Sequence, residues 1–510
     1  MGHLLGIDVS TTGAKALLIS ETGELLGSAT HEYPLLTPKP GWADQEPREW
    51  WEATQKSIRA ALAQAGCTGA DVSAVGLSGQ MHGSVFLDER NEVIRPAILW
   101  CDQRTGPQCE WINEKAGEEL VVQETLNPVL TGFTAPKIIW LRQNEPENFA
   151  RVRKVLLPKD YIRFCLTGEF ATEVSDASGT ALFNVRERRW STKLLEAIEL
   201  DPELLPPAFE SPEPTAKVSA EAAEATGLNE GTPVVGGGGD QAAGAVGNGI
   251  VRTGIVSSTV GTSGVVFAFL DEPLVDKKLR THTFCHAVPG KWHVMGVMLS
   301  AGGSFRWLRD ALCAEEKEAA AKQGVDPYEL MTKQAAEVEP GCEGLIFLPY
   351  LTGERTPYPN PNARGVFFGL HLRHTKAHLI RSVMEGVAYG LKDSFDILDE
   401  MGVEITQVRA SGGGARSDVW LQIQADVMNR AHVRINMEEG PALGVALLAG
   451  VGAGIYSSVE EACDAVVKVV SETKPNPENA KLYAEYHKIY RQLYQSLKDD
   501  FNAIAALTAG

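Results

Sequence analysis

Two short turns of small hydroxylated residues, one in each half of the chain, constrain the fold more than any other feature. The first turn, Ser10–Gly13, follows the apolar run Leu4–Ile7 and Asp8, and a second apolar run comes directly after it. The second turn, Gly261–Gly264, also lies between two apolar, strand-like runs. A supersecondary unit that occurs once in each half of a chain predicts a duplicated domain.

The two turns differ in charge, because Asp8 precedes the first and Thr259 precedes the second. Turns of small residues expose backbone N–H groups that bind anions, and Ser and Thr hydroxyls add further donors. Two such turns facing one cleft would hold the two ends of a polyphosphate, with Asp8 organising Mg²⁺ and Lys15 adding positive charge. A simple hairpin turn is the alternative for either copy alone. No P-loop pattern is present.

The length of 510 residues exceeds what one core supports, which predicts two large domains, residues 1–249 and 250–510. Each half reads strand, turn, strand and third strand, followed by helical segments. Helical spacing predicts long helices over 46–66, 375–402 and 476–501. Because strands and helices alternate, the fold class is α/β.

Charge and hydropathy exclude several classes of function. The formal net charge is −19 and no basic run occurs, which argues against a nucleic-acid partner. No apolar stretch is long enough to span a bilayer, and no signal peptide is evident, so we expect a cytoplasmic protein with no membrane partner. The eight cysteines form no CxxC pair, which predicts reduced thiols. The sequence leaves a homodimer open.

Two further glycine-rich stretches point to a ligand cleft. Gly236–Gly239 precede Asp240, and the helix predicted after them has unusually small side chains, which permits close approach of another element. Asp240 could be a helix N-cap, a role that is compatible with a position in a cleft. Gly412–Gly414 precede a helix that begins near Ser417, and in a nucleotide-binding protein they would offer a flat surface to the adenosine group.

Taken together, the motifs of this sequence resemble those of the FGGY family of carbohydrate kinases over nearly the whole chain. The resemblance is carried by ordered motifs, namely GIDVSTTGAK (6–15), GFTAPKIIWLRQN (132–144), GGGGDQ (236–241), STVGTSG (258–264), 365–386 and GGGARSDVWLQIQADV (412–427). The sequence Met81-His82-Gly83 after Gln80 is typical of members that act on xylulose, whereas glycerol kinases have an Arg-Glu pair at the matching place.

This resemblance implies two actin-like (ribonuclease H-like) domains with a catalytic cleft between them. It implies ATP-dependent phosphorylation of D-xylulose to D-xylulose 5-phosphate, with Asp240 as general base and Asp8 organising Mg²⁺. The nucleotide-binding residues that it implies are Thr11, Thr12, Gly13, Gly261, Thr262, Gly302, Arg306, Gly413 and Ser417. The sugar-binding residues that it implies are Met81, His82, Trp100, Asp102, Asp240 and Gln241. A purely structural role is the alternative for Trp100 and Asp102.

One departure and three alternatives remain. The family usually has Gly where this chain has Ser10, and Ser fits such a turn only with a negative φ.

A kinase for another ketose or polyol is the nearest alternative. A non-catalytic actin-fold ATP-driven clamp belongs to a different class, but would have no reason to place Met81, His82 and Asp240 around a small cavity. A sugar-responsive regulator should carry a basic helix-turn-helix, which is not found.

Overall fold

The computed structural model of the chain describes residues 2–437 and 439–508. The strands of the first half are β1 (His3–Val9), β2 (Gly13–Ser20), β3 (Leu25–Glu32), β4 (Asp44–Gln45), β5 (Val72–Gly79), β6 (Val85–Leu87), β7 (Ala97–Ile98), β8 (Lys154–Leu156), β9 (Thr172–Glu173), β10 (Phe183–Asn184), β11 (Arg189–Trp190), β12 (Ala208–Phe209), β13 (Pro214–Lys217), β14 (Pro233–Val235) and β15 (Gly238–Gly239). Those of the second half are β16 (Gly254–Val260), β17 (Gly264–Leu270), β18 (His282–Cys285), β19 (Trp292–Met298), β20 (Ile346–Leu348), β21 (Val366–Phe368), β22 (Ile405–Ser411), β23 (His432–Ile435) and β24 (Val469–Thr473).

The helices cover the faces and edges of the sheets. In the first half they are α1 (Pro47–Ala65), α2 (Gly106–Ala116), α3 (Glu118–Thr125), α4 (Thr134–Asn144), α5 (Pro146–Arg151), α6 (Pro158–Thr167), α7 (Val174–Ala177), α8 (Thr192–Ala197), α9 (Ala220–Thr226) and α10 (Asp240–Gly247). In the second half they are α11 (Gly302–Leu312), α12 (Ala314–Gln323), α13 (Pro327–Ala336), α14 (Lys376–Glu400), α15 (Asp418–Met428), α16 (Gly440–Gly452), α17 (Val459–Val466) and α18 (Pro477–Thr508). Short 3₁₀ helices span Ser178–Thr180, Pro202–Leu204, Cys342–Gly344 and Gly413–Ala415.

The two halves repeat one sheet topology. Among the described residues the first sheet has the order β13-β14-β5-β1-β2-β3, with β15 added on β5, and the second has the order β18-β19-β17-β16-β22-β23-β24. In both sheets the strand before the turn pairs antiparallel with the strand after it and parallel with a later strand, β5 or β22. The duplication predicted from the two turns is therefore confirmed by the strand order.

Helices α10 and α16 pack against each other and join the two halves of the chain. A Cβ added to Gly444 would lie 1.8 Å from the Ala243 carbonyl oxygen, so the two helix backbones touch. A Cβ on Gly6 of β1 would lie 1.9 Å from the Ala442 oxygen, which places α16, a helix of the second half, directly on the first sheet. The small side chains after Asp240 do permit close approach of another element, as the sequence predicted. The division at residue 249 stays a prediction.

The long helices lie where the helical spacing predicted them. Pro47 at the first position and Gly66, left-handed at the C-cap, delimit α1. Tyr483 and Tyr490 of α18 are fully buried in the second core, which gives the tyrosine stripe a packing role. The eight cysteines are all unpaired. Within residues 2–437 and 439–508, no helix combines the length and apolar character that crossing a bilayer requires.

Candidate active site

The first turn is braced by side chains from neighbouring elements. The Gln45 side-chain amide donates to the Thr11 carbonyl at 2.7 Å, and the Tyr33 hydroxyl donates to the Ser10 carbonyl. The Thr11 hydroxyl accepts from the Trp100 indole N–H at 2.9 Å and donates to the Gln80 side chain at 3.2 Å. Neighbouring side chains thus hold the Ser10 and Thr11 carbonyl groups and the Thr11 hydroxyl.

Within this turn, the side chains of the predicted phosphate-binding residues differ in availability. Thr12 is exposed, whereas the hydroxyl of Thr11 already has two protein partners. Ser10 is not among the described non-glycine residues with positive φ, so it fits the turn where the family usually has Gly. Gly13 begins β2, where a Cβ would lie 2.8 Å from the His31 carbonyl oxygen.

Asp8 lies at the end of β1 directly opposite Lys15 of β2 and Ser78 of β5. Its Oδ1 atom is buried and has no hydrogen-bond partner in the described part of the chain. Burial raises the pKa of Asp8 to about 6, and the neighbouring Ser78 hydroxyl and the Lys15 charge oppose this rise in part. The ammonium of Lys15 itself forms an ion pair with Glu439, which precedes α16. The predicted phosphate contact of Lys15 therefore competes with a partner from the second half.

The second turn is braced by backbone groups. Gly302 N donates to the Gly261 carbonyl at 2.8 Å, and Ala301 N and Gly303 N both donate to the Thr262 carbonyl at 3.0 Å. A Cβ on Gly302 would lie 2.4 Å from the Gly261 oxygen, so only glycine allows this approach. The amide of Gly302 is thus engaged with the turn, and the residue contributes through close packing.

A cavity of about 550 Å³ lies beside the second turn. The cavity is lined by six of the predicted nucleotide-binding residues, Gly261, Thr262, Gly302, Arg306, Gly413 and Ser417. Phe305, Tyr328 and Trp420 complete an aromatic wall, with Phe305 and Tyr328 stacked at 5.3 Å. Ser417 caps α15 by accepting from Trp420 N at 3.3 Å. The first-turn residues lie outside this cavity.

Asp240 lies on the wall of a second cavity of about 340 Å³ between the halves, which shares Gly413 and Arg416 with the first cavity. Gly239, not Asp240, occupies the N-cap position of α10, and no side-chain cap is formed there. Burial raises the pKa of Asp240 to about 7, and the negative charge of Asp8 adds to the rise. Gln241 lines the same cavity. The two acids therefore act on one another across the site.

Met81 lies beside Gly239, the residue before Asp240, and neither Met81 nor His82 is among the residues that line the cavity of Asp240. A Cβ on Gly239 would lie 3.0 Å from Met81 Cγ, so Met81 packs against the residue before Asp240. The His82 Nδ1–H donates to the Gly179 carbonyl at 2.6 Å, and the ring packs on Phe133 with centroids 4.7 Å apart. Burial lowers the pKa of His82 to about 3. The ring is neutral at physiological pH, and its Nε2 is left as an acceptor.

Trp100 and Asp102 have supporting contacts. Trp100 is 40% exposed, and its indole nitrogen holds Thr11 of the first turn. Asp102 is fully buried, where it accepts from Ala43 N at 2.6 Å and pairs with Arg104 at 2.7 Å. These contacts match the structural alternative for Asp102, and its direct contact with a sugar stays a prediction.

The residues fit ATP and Mg²⁺ in two respects. An acidic oxygen that is buried without a partner, Asp8 Oδ1, suits a hydrated Mg²⁺, which takes few carboxylates and keeps its waters. The larger cavity has a size and an aromatic, glycine-lined wall that suit a nucleotide.

Several residues around the site were missed by sequence reasoning. They are Tyr33, Gln45, Gln80, Lys137, Ser175, Gly179 and Glu439. Their contacts with the predicted residues cross 23 to 424 positions of the chain. Gln80 and Lys137 carried a local signal, because Gln80 precedes Met81 directly and Lys137 lies in the motif over 132–144.

The chain is similar to known proteins over nearly its whole length. The profile of the FGGY family of carbohydrate kinases, N-terminal domain, matches residues 3–247, and that of the C-terminal domain matches residues 256–453. The chain is 40% identical over 494 residues to the xylulose kinase of Escherichia coli (strain K12), covering 97% of this chain and 99% of that protein. It is 33% identical over 510 residues to the gluconokinase of Bacillus subtilis (strain 168), covering 100% of this chain and 98% of that protein.

A solved structure is similar over the same length. The crystal structure of a xyloylose kinase from Brucella ovis has a TM-score of 0.88 and 36% sequence identity, covering 98% of this chain and 99% of that one. The two-domain arrangement around one cleft is therefore shared with a solved sugar kinase.

Proposed function

This chain belongs to the FGGY family of carbohydrate kinases, and from that premise we propose that it phosphorylates D-xylulose to D-xylulose 5-phosphate with Asp240 as general base. The chain is a carbohydrate kinase with the α/β two-domain fold of that family. The observation that carries the proposal is the position of Asp240, on the wall of the interdomain cavity that meets the nucleotide-sized cavity at Gly413 and Arg416.

ATP with Mg²⁺ is the cofactor pair of this family, and it supplies the phosphoryl group together with the charge that neutralises it. The residues that would hold it are Asp8 and Thr12 at the first turn and Gly261 and Thr262 at the second turn. The cavity beside the second turn would hold the nucleoside.

Asp240 acts by removing a proton from the attacking sugar hydroxyl. A base with a pKa near 7 is ionised in a large fraction of molecules at neutral pH and still binds a proton strongly enough to accept it. Met81 fixes the backbone beside Asp240, and the neutral His82 ring contacts another hydroxyl of the acceptor. Phosphoryl transfer depends mainly on aligning the acceptor hydroxyl with the γ-phosphate, and little covalent catalysis by the protein is needed. The positions of these side chains are therefore their main contribution.

Helices α10 and α16, which touch along their glycines, connect the two halves at the cleft. Closure of the halves would exclude water from the site and thereby suppress ATP hydrolysis. A cytoplasmic location and a homodimer stay predictions from the sequence and from the family.

A panel of acceptors with ATP tests the proposal. We expect D-xylulose to give the largest kcat/KM and ADP release to depend on it. A larger value for another ketose, a polyol or gluconate would replace the substrate and keep the enzyme class. Release of ADP that no acceptor accelerates would instead support the clamp.

A further inference from the structure

One continuous segment, Ser175–Gly179, touches both sides of the proposed sugar site. The Ser175 hydroxyl accepts from Gly239 N at 3.0 Å, and Gly239 directly precedes Asp240. Four residues later, the Gly179 carbonyl accepts from the His82 ring at 2.6 Å. The backbone beside the proposed base and the ring of the proposed sugar contact are thus held by one short stretch, which runs from α7 into a 3₁₀ helix.

The Ser175 end of this segment is anchored by the buried carboxyl group of Glu173. The Ser175 hydroxyl donates to Glu173 Oε1 at 2.9 Å, and Ser175 N donates to Glu173 Oε2 at 2.7 Å. Lys159 Nζ lies 3.6 Å from the same carboxyl group. Because the backbone N–H of Gly239 can only donate, the Ser175 hydroxyl accepts from it and directs its own proton to Glu173.

The Gly179 end of the segment has no spare room. A Cβ on Gly179 would lie 2.5 Å from His82 Cε1 and 3.0 Å from Met81 Cε. The His82 backbone is fixed as well, because Lys137 and Thr134 donate to its carbonyl at 2.8 and 3.0 Å. The position of the ring therefore follows the backbone at Gly179.

We propose that residues 175–179 are a fixed spacer that sets the separation between Asp240 and His82, and so selects the length of the acceptor. This inference rests on the proposed function, because it takes Asp240 as the base and His82 as a sugar contact. Ser175 is a positioning residue that acts through Gly239. Gly179 determines specificity through the His82 ring. An acceptor fits when one hydroxyl reaches Asp240 while another reaches the ring.

The first experiment compares Ser175→Ala with Ser211→Ala. Ser211 donates to the same Glu173 carboxylate at 2.9 Å, so it is a matched control. We expect Ser175→Ala to lower kcat about 10- to 100-fold, because a misplaced reacting group slows transfer by that order. The KM for the sugar should stay within about twofold, since the His82 side is untouched. Ser211→Ala should match Ser175→Ala in thermal unfolding and keep wild-type kcat, and Ser175→Thr, which retains the hydroxyl, should restore kcat.

The second experiment uses Gly179→Ala, whose added methyl would overlap the His82 ring and must displace it. We expect the sugar KM to rise about 10-fold, the order expected for one weakened hydrogen bond. The preference among tetrose, pentose and hexose ketoses should change, because the separation between the ring and Asp240 changes.

The kcat and KM of each variant are compared with those of the wild type on the acceptor that the wild type uses best. The spacer is therefore tested even if that acceptor is not D-xylulose. Equal kcat values for Ser175→Ala and Ser211→Ala, or an unchanged preference in Gly179→Ala, would overturn the spacer. Such a result would leave the kinase activity and its substrate as established by the acceptor panel.

Discussion

The two hydroxyl-rich turns, Ser10–Gly13 and Gly261–Gly264, occupy equivalent positions in their sheets but are stabilised in different ways. In the first, Asp8 faces Lys15 across the hairpin and Ser78 on the parallel strand. In the second, Thr259 faces Val265 and Ser411 in the same register, and the hydroxyls of Thr259 and Ser411 are 2.7 Å apart. The serine on the parallel strand is thus common to both turns, and the acid and the lysine are present only in the first.

The surroundings of Asp8 and Thr259 differ as well. The Thr259 hydroxyl is paired with that of Ser411, whereas Asp8 Oδ1 is buried and has no hydrogen-bond partner among the described residues. The first turn is held by side chains such as Gln45, and the second is held by the backbone at Gly302 and Gly303. A duplicated unit can therefore keep its strand register while only one copy carries an acid, the group that we propose organises Mg²⁺.

The largest effect is expected from Asp240→Asn, which removes the proposed general base. Single-turnover transfer to the sugar should fall by about 10²- to 10⁴-fold, the usual contribution of general-base catalysis. A purely structural role predicts little loss, because Asn has nearly the shape of Asp and Gly239, not Asp240, occupies the N-cap of α10. Near-normal transfer in Asp240→Asn would remove this residue from the mechanism.

The same variant has a pH signature. The pKa of Asp240 is about 7 in the folded protein, above its ordinary value, so wild-type transfer should rise as pH increases through 7 and this limb should vanish in Asp240→Asn. The folded state binds the proton more tightly than the unfolded chain, so the wild type loses stability as pH rises toward 7. At pH 8 the variant should therefore unfold at an equal or higher temperature, which calorimetry on the same preparation checks.

The next effect concerns the charge that distinguishes the turns. Asp8→Asn should raise the Mg²⁺ concentration needed for half-maximal activity about 10- to 100-fold, the range found when groups that orient a metal are changed. Binding of the sugar should be nearly unchanged. Thr259→Val is the matched variant in the other turn, and it should leave the Mg²⁺ requirement as it is. A loss of sugar affinity with an unchanged Mg²⁺ requirement would contradict the assignment of Asp8.

A smaller effect is expected on the sugar side. His82→Ala should raise the sugar KM about 5- to 10-fold, the equivalent of one hydrogen bond, and relax discrimination among ketoses. His31→Ala, which removes a histidine–serine contact on β3, is the control. An unchanged substrate profile in steady-state assays would place His82 outside the sugar pocket.

The smallest effect tests the lysine of the first turn. Glu439→Gln removes the ion-pair partner of Lys15, so the lysine should become free to contact phosphate. We expect the KM for ATP to fall about 2- to 5-fold, the size expected for a partly exposed ion pair. Lys15→Met should raise that KM. A change in the same direction for both variants would show that the ion pair, and not the free lysine, supports nucleotide binding.

Much of the fold could be predicted from the sequence because its signals are local. The hairpins around Ser10–Gly13 and Gly261–Gly264 follow from apolar runs broken by turn residues, and α1 follows from helical spacing between Pro47 and Gly66. The cavity beside the second turn contains predicted residues such as Gly302 and Ser417, because each belongs to a recognisable motif. In all these cases the information lies within one stretch of chain.

Tertiary structure alone decided which partner each of these residues meets. Helix α16 was not predicted, although its glycines place it on the first sheet; its uniformly apolar sequence says that it is buried but not against what. Likewise the hydroxyl of Thr11 accepts a hydrogen bond from Trp100 and donates one to Gln80. Lys15 pairs with Glu439, which lies 424 positions later in the chain. The sequence determined the turns, the helices and the chemical character of the site, since these depend on neighbouring residues. The bracing of Asp240, His82 and the two turns was decided by long-range packing, since no local pattern specifies which distant groups meet.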